Sequence, residues 1–221
     1  MKKHIVCFGD SNTHGYCADP NDTADRTDRF NEDERWTCLL QKTLGEEYLV
    51  LEEGLSGRTT VFSDPLHECM SGLDVIYSTL MSHEPVDLLI IMLGTNDCKT
   101  RYKASASVIA KGLDQVIRKA RQNASRHFDL LVISPIHLGV GVGDADFDPE
   151  FDAASVAVSR NLANEYRKIA LQNHAAFLNA SDFAAPSVTD REHMDEKGHA
   201  ALADAIYNKI LALQKGLSHV I

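Results

Sequence analysis

Two segments constrain the fold of this chain more than any others: Val-Asp-Leu-Leu-Ile-Ile-Met-Leu at 86–93 and Phe-Asp-Leu-Leu-Val-Ile-Ser at 128–134. A strand with one wet face would alternate apolar and polar residues, but these runs are apolar at nearly every position. That is the pattern of strands buried on both faces of a parallel sheet. Further strand candidates lie at 4–8, 48–52 and 176–179. Between them, apolar residues recur at three- and four-residue spacing over 36–44, 73–81, 104–123 and 153–173, as in helices with one buried stripe. A last helix, with Asp195 as its N-cap, places Leu202, Ile206, Ile210 and Leu213 on one face. Strand–helix alternation runs from end to end, with no repeat and no Pro/Gly/Ser linker. This predicts one doubly wound α/β domain spanning 1–221.

Composition narrows the function. The 221 residues carry 22 Lys+Arg against 32 Asp+Glu, a net charge of −10, and the isoelectric point is near 5.4. Phosphate-rich partners recruit basic stripes, and no basic run here is longer than Lys2-Lys3. Nucleic-acid and anionic-membrane partners are therefore set aside. No apolar stretch approaches the roughly 18–20 residues of a membrane span. At the N-terminus the apolar part stops at Gly9-Asp10, short of the roughly 7–15 residues of a secretory h-region, and it is expected to be the first strand. The cysteines (Cys7, Cys17, Cys38, Cys69 and Cys98) are odd in number and form no C-x-x-C pair. They suit a reduced, cytoplasmic protein better than a disulfide framework or a zinc site.

In an open α/β sheet, ligands bind beyond the carboxyl ends of the strands. The first strand leaves into Gly9-Asp10-Ser11-Asn12-Thr13-His14-Gly15, with Ser11 where a helix should begin. First-turn amides lack intrahelical partners, so a serine there offers both an exposed hydroxyl and a free N–H; the plainer reading is an N-cap serine. The second strand leaves into Glu53-Gly54-Leu55-Ser56-Gly57-Arg58. Gly57 allows close approach to a backbone N–H or simply serves a turn. Ser56 is excluded as an elbow nucleophile, because Arg58 stands where G-x-S-x-G requires glycine. The third strand leaves into Gly94-Thr95-Asn96-Asp97, where the Asn96 carboxamide either donates to a developing negative charge or makes an Asx turn. Near the C-terminus, Asp190 precedes His193 by three residues. That spacing lets the carboxylate hold Nδ1–H and leaves Nε2 to accept a proton. Each piece has an ordinary explanation on its own. Together, at ends that parallel strands bring to one sheet edge, they supply a nucleophile, a base, an orienting acid and three oxyanion donors.

Gly-Asp-Ser at 9–11, Gly57, Gly-Thr-Asn-Asp at 94–97 and Asp-x-x-His at 190–193 resemble, in order, the four blocks of the SGNH (GDSL-type) hydrolase family. Arg35-Trp36, Glu52 to Ser56 with Arg58-Thr59-Thr60, and Ile90 to Asp97 resemble its arylesterase/acyltransferase branch. Members of that branch hydrolyse small acyl esters, especially acetyl esters, and can pass the acyl group to alcohols. The resemblance implies a flavodoxin-like three-layer α/β/α sandwich with a central parallel sheet of about five strands. It implies Ser11, Asp190 and His193 as the catalytic triad, and the Ser11 N–H, Gly57 N–H and Asn96 side chain as the oxyanion hole. It departs from the family pattern at Asn12, where the motif has Leu, and at Met194, where Pro often follows the histidine.

Around these residues, His14, His137, Tyr16 and Trp36 are candidates for the pocket wall, with Asp10, Asn12 and Thr95 beside the nucleophile and the Asn96 turn. Asp10 and Asp97 are candidates for a network behind the site, and His199 for a structural or solvated role. A metal cluster of these acids with His193 would leave Ser11, Gly57 and Asn96 idle, so no metal or organic cofactor is expected. Two polar segments, 19–34 and 135–150, are long enough to be functional or mobile. The expected partner is a small-molecule acyl ester, and a homo-oligomer is left open. The competing readings are a carbohydrate O-deacetylase with the same triad and, in a different class, a flavodoxin-like phosphate- or flavin-binding module. The second is disfavoured by Asp10, by the net charge and by the idle Asp190/His193 pair.

Overall fold

The computed structural model describes residues 1–19, 28–122 and 124–215. Part of the polar segment 19–34 and Asn123, the expected last residue of a helix, lie outside the described residues. Five strands form one sheet: β1 (Lys3–Gly9), β2 (Tyr48–Gly54), β3 (Leu88–Met92), β4 (Asp129–Ser134) and β5 (Ala176–Asn179). All pairings are parallel and the order is β2-β1-β3-β4-β5. Six helices accompany them: α1 (Ser11–His14), α2 (Trp36–Leu44), α3 (Gly72–His83), α4 (Ala106–Gln122), α5 (Ala153–Gln172) and α6 (Glu196–Gln214). Among the described residues no helix is long and apolar enough to cross a membrane.

The near-continuous apolar runs have the cause inferred for them. Val6, Phe8, Leu89, Ile91, Leu130 and Val132 point into a core shared with α3, α4 and α5. Their neighbours Ile5, Cys7, Leu88, Ile90, Leu131 and Ile133 point into a second core with α2 and α6. Successive strand residues face opposite ways, so a sheet covered on both sides needs apolar residues at both parities. Full burial of one such side chain contributes about 1.5–3 kcal/mol, and β3 buries all of its residues. The result is the three-layer α/β/α sandwich.

Helix ends follow local chemistry. Asp152 and Ser155 form a reciprocal capping box on α5, and the Asp195 side chain accepts from the Gly198 N–H at the start of α6. Helix α3 begins at Gly72 and runs on to His83, past the expected 73–81. Ser82 and His83 carry no apolar periodicity, so hydrophobic spacing alone stops short of them. Helix α4 begins at Ala106, two residues later than expected.

The strand register sets up the site. Gly9 pairs with both Gly54 and Met92, so β1, β2 and β3 end level with one another. From β1 the chain crosses to one side for β2 and to the other for β3. The topological switch point, where open α/β sheets form their crevice, therefore lies between the ends of β1 and β3. Gly54 is needed there: a Cβ on it would meet the His14 backbone nitrogen at 2.1 Å, so only glycine lets α1 rest on the end of β2.

Candidate active site

Ser11 is the first residue of α1, and the N-cap is its neighbour Asp10, whose Oδ1 accepts from the Asn12 N–H at 3.1 Å. The plainer reading of Ser11 as an N-cap is thereby replaced, and its hydroxyl is free for other work. Ser11 Oγ lies 2.8 Å from His193 Nε2. On the far side of the ring, Nδ1 lies 2.5 Å from Asp190 Oδ2. The other Asp190 oxygen accepts from the Glu192 N–H, the His193 N–H and the Ser187 hydroxyl at 3.0, 3.0 and 3.2 Å. This carboxylate is thus locked with one oxygen aimed at the imidazole, and the Nδ1–H···Oδ2 bond leaves Nε2 as the acceptor facing Ser11. Burial by itself would raise the Asp190 pKa, but the His193 hydrogen bond and charge hold it below the ordinary carboxylate value. For His193, burial is again the largest influence and lowers the pKa. The Glu192 charge and the Asp190 hydrogen bond outweigh it, and the net shift is upward.

The donors sit on the adjoining turns. Gly57 has φ +88°, a left-handed conformation that glycine adopts without strain. Among the described residues, neither the Ser11 N–H nor the Gly57 N–H has an acceptor. Arg58, the next residue, is buried with its guanidinium 4.3 Å from the Phe8 ring centre. Its Nη1 donates to the Gly9 carbonyl at 2.9 Å and to the Glu53 carbonyl. The Asn96 carboxamide spends one N–H on the Arg58 carbonyl at 3.2 Å, and a carboxamide has two. Arg58 therefore ties the ends of β1 and β2 to the Asn96 turn. Asp97 turns away and accepts from Thr60 N–H at 3.0 Å and from its hydroxyl; burial pushes its pKa up to about 7.

An open pocket of about 430 Å³ reaches His193 and is lined by Tyr16, Asp146, Phe147, Asp148, Pro149, Thr189, Asp190 and Glu192. Of the wall candidates, only Tyr16 lines it, with its ring centre 4.5 Å from that of His193. Trp36 does not line it: fully buried beneath α1, it donates Nε1–H to the Asn12 carbonyl at 3.1 Å. Asp10, Asn12 and Thr95 are likewise buried behind the site rather than in the wall. The Asn12 Oδ1 accepts from the Met194 N–H at 3.0 Å, so the departure at 12 meets the departure at 194. His14 sits beside Gly54 and Arg29, its carbonyl accepting from Arg29 Nε at 2.7 Å. His137 sits by the end of β5, its N–H on the Ser181 hydroxyl at 2.8 Å. His199 is structural rather than solvated. Its Nδ1 accepts from the Trp36 N–H at 3.3 Å, and burial drives its pKa down to about 3. A second cleft of about 290 Å³, between Lys3, Tyr48, Arg126 and Ile210, has no serine or cysteine in its lining.

Three residues went unnoticed in the sequence. Glu192 is 7% exposed, and its Oε1 lies 3.8 Å from His193 Nε2. Burial, reinforced by Asp148 and Asp190, pushes its pKa up to about 7. Asp148 lines the same pocket, its own pKa raised chiefly by burial. Arg191 pins the segment 139–147: its carbonyl accepts from Gly139 N–H at 2.7 Å, and Nη1 donates to the Val140 carbonyl at 3.0 Å and to Asp144 at 3.1 Å. An acid inside the Asp-x-x-His spacing was the available signal, but nothing in a sequence distinguishes a buried Glu from a solvated one.

Comparison with known proteins places the chain in a family. The family model for GDSL-like lipases and acylhydrolases matches residues 7–201. Est24, a carbohydrate acetylesterase from Sinorhizobium meliloti, is 30% identical with a TM-score of 0.85, over 96% of this chain and 100% of that one. The native aryl esterase of M. smegmatis is 31% identical with a TM-score of 0.84, over 96% and 99%. A lipase/acylhydrolase from Enterococcus faecalis, 18% identical with a TM-score of 0.67 over 94% and 95%, shares the fold. No curated protein matches the chain in sequence. With the family model matched across residues 7–201 and esterase structures of 30–31% identity covered almost end to end, the chain belongs to the GDSL-like lipase/acylhydrolase family and is a carboxylic ester hydrolase.

Proposed function

We propose that this chain hydrolyses small acyl esters, acetyl and other short-chain esters foremost, through a Ser11-His193-Asp190 triad. The observation that carries the reading is the continuous relay from Ser11 Oγ through both ring nitrogens of His193 to Asp190, at 2.8 and 2.5 Å. Ser11 Oγ attacks the ester carbonyl as Nε2 takes its proton, and Asp190 stabilises the imidazolium. The Ser11 N–H, the Gly57 N–H and the second N–H of Asn96 receive the oxyanion. His193 then protonates the leaving alcohol. Water, or a second alcohol in acyl transfer, attacks the acyl-enzyme by the reverse route.

The polar pocket bears on the alcohol half of the substrate. Asp146, Asp148 and Thr189 line it together with Phe147 and Tyr16, a mixture of hydrogen-bonding groups and aromatic rings that suits a hydroxylated alcohol. This favours carbohydrate O-deacetylation as the second reading, the activity named for Est24. A series of p-nitrophenyl esters of increasing acyl length tests the first reading, with kcat/KM expected to be highest at acetyl or propionyl and absent in Ser11→Ala. Acetylated sugars run beside aryl acetates separate the two. A preference for long acyl chains would overturn the assignment.

A further inference from the structure

We propose that Glu192 positions the deacylating water and so biases the acyl-enzyme toward hydrolysis over transfer to alcohols; this rests on the serine-esterase reading. Glu192 and His193 both line the pocket, and Glu192 Oε1 lies 3.8 Å from His193 Nε2. Hydrogen bonds of about 2.7–3.0 Å let one water touch both atoms. Glu192 is well placed for that role. Its side chain is 9% exposed, and the only hydrogen bond it makes among the described residues is through its backbone N–H to Asp190. A largely buried carboxyl with no hydrogen-bond donor on it is poorly solvated, and a water entering the pocket beside Nε2 supplies a donor.

The chemistry discriminates by counting donors. Water has two O–H groups. It gives one proton to His193 Nε2 as its oxygen bonds to the acyl carbon, and it donates the other O–H to Glu192, which takes no proton. The C–Oγ bond then breaks, His193 returns its proton to Ser11 Oγ, and the carboxylic acid leaves. An alcohol has a single O–H, which Nε2 must take, so its alkyl group would face an ionised carboxylate. A protonated Glu192 removes that penalty, because it can donate to the alcohol oxygen. With its pKa pushed up to about 7 by burial, Glu192 makes the choice pH-dependent. The titratable and charged groups around it are His193 and Asp190 on its own loop, Asp148 in the pocket lining, Lys99 after β3, and the neutral Tyr16 phenol.

The test is a partition ratio. With p-nitrophenyl acetate as donor and 1-butanol in water, butyl acetate and acetate are measured together across pH 5.5–8.5. Both products come from one acyl-enzyme, so their ratio does not depend on how much protein is folded. The wild-type transfer ratio is expected to fall as pH rises through the Glu192 titration. Glu192→Gln and Glu192→Met should raise it about five- to tenfold at pH 8, the loss of one charge-assisted hydrogen bond, and flatten its pH dependence. Asp148→Asn, which removes a charge raising the Glu192 pKa, should move the wild-type transition to lower pH. A wild-type ratio that is flat with pH and unchanged in both Glu192 variants, with acetyl found on Ser11 by mass spectrometry, overturns this proposal alone. Undiminished ester hydrolysis by Ser11→Ala overturns the serine-esterase reading as well.

Discussion

Ser11 Oγ and His193 Nε2, 182 residues apart in the chain, stand 2.8 Å apart in space. The first lies just past the end of β1 and the second just before α6, and a further bond ties the two turns together, from Met194 N–H to Asn12 Oδ1 at 3.0 Å. In the proposed triad the nucleophile and base act as a unit, so removing either should abolish the relay. Ser11→Ala and His193→Ala are each expected to lower kcat on p-nitrophenyl acetate by about 10⁴–10⁶. Circular dichroism should be unchanged, and fluorophosphonate labelling should be lost in Ser11→Ala. Near-wild-type turnover by Ser11→Ala would remove the triad.

As the proposed base, His193 must be neutral to work, which fixes the acid limb of the rate profile. Burial lowers the His193 pKa, but Glu192 and Asp190 together carry it above the ordinary 6.5. Activity should therefore fall with acid along a limb in kcat/KM whose midpoint lies above 6.5. Asp190→Asn removes a charge and a hydrogen bond that favour the imidazolium, so its midpoint should move to lower pH while the plateau drops. A midpoint that stays fixed in Asp190→Asn would mean that Asp190 does not govern the protonation of His193.

Asn96 tests the oxyanion donors. The bond from its carboxamide to the Arg58 carbonyl holds it in place without consuming its second N–H. Asn96→Ala should lower kcat by about 10²–10³ with a much smaller change in KM, since the lost donor acts on charge that develops only in the transition state. A raised KM with kcat unchanged would instead assign Asn96 to substrate binding.

Much of this arrangement is legible in the chain because it rests on features that sequence carries directly. Leu88 to Met92 are apolar at both parities because helices cover both faces, and Asp190 and His193 share one side because of their spacing. Trp36 shows the limit. A tryptophan just after an arginine suits a pocket wall and a core equally, and only the packing of α2 under α1 decides for the core. Glu192 shows another: its burial, and its place in one pocket with residues 146–149, depend on distant parts of the chain coming together. Helix ends such as Ser82-His83 carry no periodicity and fall outside any reading by hydrophobic spacing.

Arg191 holds the segment 139–147. It adopts φ +63°, a left-handed conformation that costs a non-glycine residue about 1–2 kcal/mol, and its guanidinium lies 3.9 Å from the Phe147 ring centre. Arg191→Ala keeps the strain and loses the contacts with Val140, Asp144 and Phe147. It should speed amide exchange across 139–147 and raise KM several-fold. Arg191→Gly loses the same contacts but relieves the strain, so it should be more stable than Arg191→Ala by about 1 kcal/mol. Equal stability of the two would show that the left-handed conformation carries no cost here.

The pairing of Asn12 with Met194 gives the last expectation. Asn12 is 2% exposed; its Oδ1 satisfies the Met194 N–H, while its Nδ2 has no partner among the described residues. Asn12→Leu restores the residue found in the motif that names the family, yet here it would strand a buried N–H next to His193. An orphaned buried donor costs about 1–3 kcal/mol, so the variant should melt at a lower temperature despite its greater hydrophobicity. His193 immediately precedes the freed N–H, so the loss should also reach the relay and lower kcat about tenfold, the equivalent of about 1.4 kcal/mol in the barrier. Chemical denaturation and steady-state kinetics on the one variant check both effects. A gain in stability with kcat unchanged would mean that the orphaned Nδ2 costs more than the Met194 bond returns, and that the histidine is oriented by Asp190 alone.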